Sequence, residues 1–100
     1  MTSMKAEKMK RRTRFAALIR SLELTVPEVA EYLGASPAVI SNMVHGRTRP
    51  DEDYMFYLER AFARIEAYIL YPKVTEHPGA IFSKAIRRRQ IEMEVVEEML

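Results

Sequence analysis

The sequence predicts an all-α fold: a bundle of four to five helices with an extra C-terminal helical segment. Three observations carry this. Apolar residues recur at helical spacing from Phe15 onward. Glycine and proline are few, 3 and 5 in 100 residues, and fall between the periodic runs, where they read as stops and starts. No stretch alternates apolar and polar residues as a half-buried strand does.

The elements follow in order. Phe15, Leu18, Ile19 and Leu22 mark one face of a first helix that begins in a basic arm and ends near Glu23. Thr25, Pro27 and Glu28 are a helix start: a hydroxyl cap, a proline tolerated in the first turn, and an acid that suits the dipole. A second helix therefore spans about 26–33, and Gly34 stops it. Ser36 and Pro37 repeat the start signal for a third helix, which Gly46 ends after Val44 or His45. Residues 47–50 are a loop. Asp51, Glu52 and Asp53 open a fourth helix whose inner stripe is Tyr54, Leu58, Ala61, Phe62, Ile65 and Ile69. Pro72 ends it. Residues 72–79 form a linker, and a last helical segment covers 80–100.

Composition narrows the function. The absence of cysteine excludes disulfides, thiolate metal sites and cysteine nucleophiles. Two histidines, His45 and His77, are too few for a histidine-based metal site without carboxylate help. Neither a catalytic triad pattern nor a phosphate-cradling glycine loop is present. The chain is therefore expected to be a non-enzyme without cofactor or metal. No run is long and apolar enough for a membrane span and no secretory signal is visible, so a cytoplasmic protein is expected. The net charge of +2 is unevenly spread. Residues 1–14 carry +5, residues 15–50 are neutral, residues 51–71 carry −3, and residues 72–100 balance. A basic arm on a neutral body points to a polyanion, above all nucleic acid.

The two short helices around Leu33, Gly34 and Ala35 have the spacing of a helix-turn-helix. Ala30 is small where the helices cross, Gly34 permits a left-handed turn, and Val29 and Ile40 lock the second helix on the first. Ser36 caps the second helix and leaves its N-terminal end free to face phosphate.

The stretch from Leu24 to Pro50 resembles the Cro and lambda-repressor class of helix-turn-helix proteins, the XRE type. Thr25, Glu28, Ala30, Leu33, Gly34, Ser36, Ile40, Ser41, Gly46 and Pro50 match in order and spacing, and the likeness extends over about 14–70 with the flanking helices. It implies a lambda-repressor-like bundle with a recognition helix at about 37–45 in the major groove. Pro37, Ala38, Ser41 and Asn42 would then face the bases. Asn42 suits bidentate pairing to adenine, and Ala38 suits a thymine methyl. Ser36, His45, Arg47 and Arg49 would grip phosphate, with Lys10, Arg11, Arg12 and Arg14 of the arm. The arm would either extend the first helix along the backbone or enter the minor groove. Two positions depart from the family. Val26 stands where many members have a glutamine that touches phosphate or base, so that contact is lost. Val44 stands where many have a structural glutamate.

Residues 82–100 align without gaps on 15–33, with identities at Phe82, Ile86, Arg87, Val96, Glu98 and Leu100. The match suggests the start of a second, truncated helix-turn-helix. Alternatively the segment dimerises through a heptad-like seam of Phe82, Ile86, Met93, Val96 and Leu100, or it packs back on the fourth helix. The expectation is a sequence-specific transcriptional regulator of prokaryotic, phage or plasmid type. It would be a nucleoid-associated repressor acting as a homodimer on a pseudo-palindromic site in double-stranded DNA. The rival is an antitoxin or antiactivator that holds a partner protein with residues 80–100.

Overall fold

The computed structural model describes residues 14–100, whose regular secondary structure is all helical. Residues 14–21 are helical (α1), followed by α2 (Val26–Leu33), α3 (Pro37–Val44), α4 (Glu52–Leu70), a 3₁₀ turn (Ala80–Phe82) and α5 (Ser83–Met99). No helix among the described residues is long and apolar enough to cross a membrane.

Short helices need strong ends, and the sequence supplies them. At the start of α2, Thr25 Oγ1 accepts from the Glu28 amide at 3.3 Å, and Glu28 Oε1 accepts from the Thr25 amide at 2.9 Å. Two otherwise orphaned donors are thus satisfied reciprocally. Ser36 caps α3 through the Val39 amide. Asp51 caps α4 by accepting from the amides of Asp53 and Tyr54.

The first three helices end alike. In each, an amide one residue past a left-handed position returns to the carbonyl five residues back: Leu24 to Ile19, Ala35 to Ala30, Arg47 to Asn42. This closure requires positive φ at its hinge residue. Gly34 (φ 69°) and Gly46 (φ 75°) provide it at little steric cost, whereas at the end of α1 Glu23 does so at φ 55°.

The core unites all five helices. Phe15, Leu22, Val29, Ile40 and Leu58 are fully buried at its centre. Val29 and Ala30 on α2 face Ile40 and Met43 on α3, which fixes the angle between these helices. On α4 the buried stripe is Met55, Leu58, Ala61 and Ile65, with Phe62 and Ile69 packed at its margins. Met55 takes the innermost first-turn place that the sequence pattern assigns to Tyr54, which is half-buried. A thioether fills an irregular gap without a hydroxyl to satisfy.

The C-terminal segment begins inside this core. Phe82 is 1 % exposed and meets Tyr32 edge-on at 5.2 Å between ring centres; Ala85 and Ile86 are buried beside it. The connection at 72–79 is itself held. Pro78 is buried, the His77 ring packs edge-on against Tyr68, and His77 Nδ1 accepts from the Gly79 amide at 3.1 Å. From residue 91 to 100 every residue is exposed.

Two expectations for this segment are corrected here. Phe82 and Ile86 do not belong to an open dimer seam, because they pack into their own chain; Met93, Val96 and Leu100 are the exposed remainder of that stripe. No second pair of short helices forms either, because α5 runs unbroken to Met99. Where the first copy has Glu23, Leu24, Thr25 and Pro27, the aligned residues are Gln90, Ile91, Glu92 and Glu94. None of these caps or breaks a helix, so the chain continues helical.

Candidate nucleic-acid interface

The surface around α3 is built by the caps on either side of it. The left-handed turn at Gly34 and the Ser36 cap aim α3 away from α2, while Ile40 and Met43 hold it by one face. Its other face is open. Pro37 and Ala38 are exposed in the first turn, and Ser41 and Asn42 are half-buried one turn later. All four base-facing candidates therefore lie along one helix, as the spacing predicts. Val39, 39 % exposed, lies on the open side as well. The adjacent pair Val39 and Ile40 looks equally apolar, and only the packing on α2 decides which points inward.

The far end of α3 is tightly stitched. The Asn42 carbonyl accepts from the amides of Arg47 and Thr48 at 2.8 and 3.3 Å, which turns the loop back over the helix. Arg47 Nη1 then donates to Asn42 Oδ1 at 3.4 Å, leaving the Asn42 amide nitrogen uncommitted in that contact. His45 Nδ1 lies 2.8 Å from the Ser41 carbonyl and 3.3 Å from its hydroxyl. With the proton on Nδ1, the ring donates to that carbonyl and its Nε2 remains available. Arg47, Thr48 and Arg49 are exposed along the loop. The sequence pattern does not mark Thr48 as part of this surface.

The electrostatics are mixed. No acid sits in the first turn of α3, so the positive end of its dipole is uncompensated. Arg49 lies 3.9 Å from Glu52, and Asp51 and Asp53 flank it, which trims the positive field of the loop. Residues 1–13 hold five basic groups and one acid, +4 of a whole-chain +2, so residues 14–100 carry −2. Lys10, Arg11 and Arg12 lie outside the described residues. Arg14 is described and is ion-paired with Glu59 of α4, so it clamps α1 to α4. As a phosphate contact it would first have to leave that carboxylate.

At the C-terminal end of the described residues, α5 is tied down by polar groups that the sequence pattern does not reveal. Arg88 is bound by Glu23 at the end of α1 and, at 3.4 Å, by Glu92 of its own helix; these two carboxylates hold its guanidinium more firmly charged than usual. Arg89 pairs with Glu66 and lies over the Phe62 ring, 4.6 Å from its centre. The signal was present in sequence only as an arginine interrupting an apolar seam. No group of three or more histidine, cysteine, aspartate or glutamate residues among the described residues is arranged to hold a metal ion.

No family model matches the chain, and neither a curated protein nor a solved structure does.

Proposed function

We propose that the chain is a sequence-specific DNA-binding transcriptional regulator of helix-turn-helix type, a repressor that works as a homodimer with α3 in the major groove. The observation that carries this is the presentation of α3. It is anchored by Ile40 and Met43, open along Pro37, Ala38, Ser41 and Asn42, and followed at once by the exposed Arg47–Arg49 loop. A helix held by one face with side chains of base-reading type on the other is what direct readout requires. The neutral-to-acidic body supplies little non-specific attraction, so affinity draws on the basic arm and specificity on α3.

The test is selection from randomised duplex DNA followed by mobility-shift titration. A preferred site bound well above random competitor is expected. Asn42→Ala should relax preference at one position of that site by about 1–3 kcal/mol and leave the other positions alone. Equal weakening on every sequence would show that α3 does not read bases. Failure to select any site would turn the argument to a second reading, a protein-holding module. That reading draws on the exposed end of α5, where Met99 and Leu100 are 81 % and 100 % exposed.

A further inference from the structure

Helix α5 breaks two local rules at once. Lys84, Arg87, Arg88 and Arg89 fill its first half and Glu92, Glu94, Glu97 and Glu98 its second, with no acid in the first turn and no base in the last. This is the reverse of what the helix dipole favours. Like charges also stand four apart, Lys84 with Arg88 and Glu94 with Glu98, where they repel. The folded chain offsets only part of this. Arg88, Arg89 and Glu92 are engaged within the chain. Lys84, Arg87, Glu94 and Glu98 form no ion pair among the described residues; Lys84 acts on the Glu28 carboxylate of α2 only through space.

Those four charges share a stripe on the side of α5 turned away from Phe82, Ala85 and Ile86, as the helical repeat of 3.6 residues requires. Ile91 is its midpoint. Lys84 and Glu98 stand two heptad steps apart on either side of it, and Arg87 and Glu94 one turn away on either side. Ile91 and Val95 form its apolar centre and are about half exposed.

We propose that this stripe is the dimer interface, and that its occupant is α5 of a second copy, packed antiparallel about a two-fold axis at Ile91. That arrangement sets Lys84 against Glu98 of the second copy and Arg87 against its Glu94, and each pair occurs twice by symmetry. Ile91 meets its own counterpart. The acidic half of one helix lies along the basic half of the other, which relieves the unfavourable dipole and the like-charge repulsion together. A nucleic acid would be drawn to residues 84–89 and repelled by 92–98. The occupant must carry both signs in reverse order, as α5 itself does. Phe82 and Ile86 stay in their own core throughout. The inference rests on the DNA-binding reading for the use of a dimer, and its test uses no DNA.

The experiment is sedimentation equilibrium of the full chain, with Lys84→Glu/Arg87→Glu and Glu94→Lys/Glu98→Lys variants, alone and mixed. The unaltered chain should sediment with the mass of two chains, and dissociate more readily as salt rises from about 50 mM to about 500 mM. Each variant alone should associate roughly 100-fold more weakly, since attractive pairs become repulsive ones. The equimolar mixture should recover the two-chain mass. Circular dichroism checks that the variants are folded; as monomers they should melt somewhat below the unaltered chain, which gains stability from pairing. A monomeric unaltered chain, variants that still pair alone, or a mixture that stays monomeric would each overturn the interface. A dimer that selects no DNA site would sink the regulator reading and leave the interface standing.

Discussion

Residues 15–33 and 82–100 begin the same way and end differently. Phe15 and Phe82 are both buried anchors, and Ile19 and Ile86 lie one turn on in the same core. Then the first stretch breaks at Glu23, turns through Leu24, and restarts at a capped Thr25, while the second continues as one helix. The consequence reaches the far end of each alignment. Val29 is fully buried between α2 and α3, whereas Val96, its counterpart, is 56 % exposed. A shared apolar pattern therefore specifies where a helix docks, and a few backbone signals specify whether it turns back. Thr25 and Pro27 are two such signals, and their aligned residues Glu92 and Glu94 carry none.

The largest expected effect breaks the likeness at its strongest point. Phe15→Ala and Phe82→Ala should each cost about 3–5 kcal/mol in urea unfolding, because both rings are fully buried. Leu100→Ala, at the exposed end of the second stretch, should stay within about 0.5 kcal/mol. A small loss at Phe82→Ala would mean that α5 is not part of the cooperative core.

How far the fold was legible follows from the same contrast. Element positions were readable because caps and stops are local: Thr25, Ser36 and Asp51 start helices and Gly34 and Gly46 end them. The end of α1 was placed near Glu23, yet no residue there announces a left-handed hinge; Glu23 is held in that conformation by its neighbours and by Arg88. The open face of α3 was readable from spacing, apart from Val39, whose exposure depends on α2. The docking of α5 was the hardest to see. Phe82 and Ile86 have the spacing of an outward seam as well as of a core stripe, and periodicity alone does not say which surface receives them. The pairing of Arg14 with Glu59 is hidden for the same reason: it is tertiary.

A smaller effect sharpens the comparison by converting one stretch into the other. Glu92→Thr with Glu94→Pro transfers the spacing of Thr25 and Pro27 into α5. A proline inside a helix removes a backbone hydrogen bond and disfavours it locally by about 3 kcal/mol. Residues 91–100 are exposed throughout, so the loss should stay local. Helical ellipticity should drop by about a turn or more, while the unfolding midpoint of the body holds when both chains are compared at a concentration too low for pairing. A large fall in that midpoint would mean that the distal half of α5 supports the core, contrary to its exposure.

The smallest effect isolates the cap that only the first stretch possesses. The Thr25 amide and hydroxyl hold the Glu28 carboxyl below its ordinary value of about 4.3, and Lys84 adds to this from α5. The N-cap of α5, Phe82, offers no side-chain hydrogen bond, and Val95 occupies the place of Glu28. A folded-state pKa below the unfolded one means that the unfolded chain takes up the proton first. The contribution of Glu28 is therefore complete above the ordinary carboxylate range and fades as pH falls through that range toward the lowered value. Glu28→Gln keeps the shape of the capping box but cannot carry the charge. Unfolding curves for the two chains should thus differ slightly at neutral pH and converge on acidification. A difference that stays constant with pH would mean that shape and hydrogen bonding, and not charge, hold the start of α2.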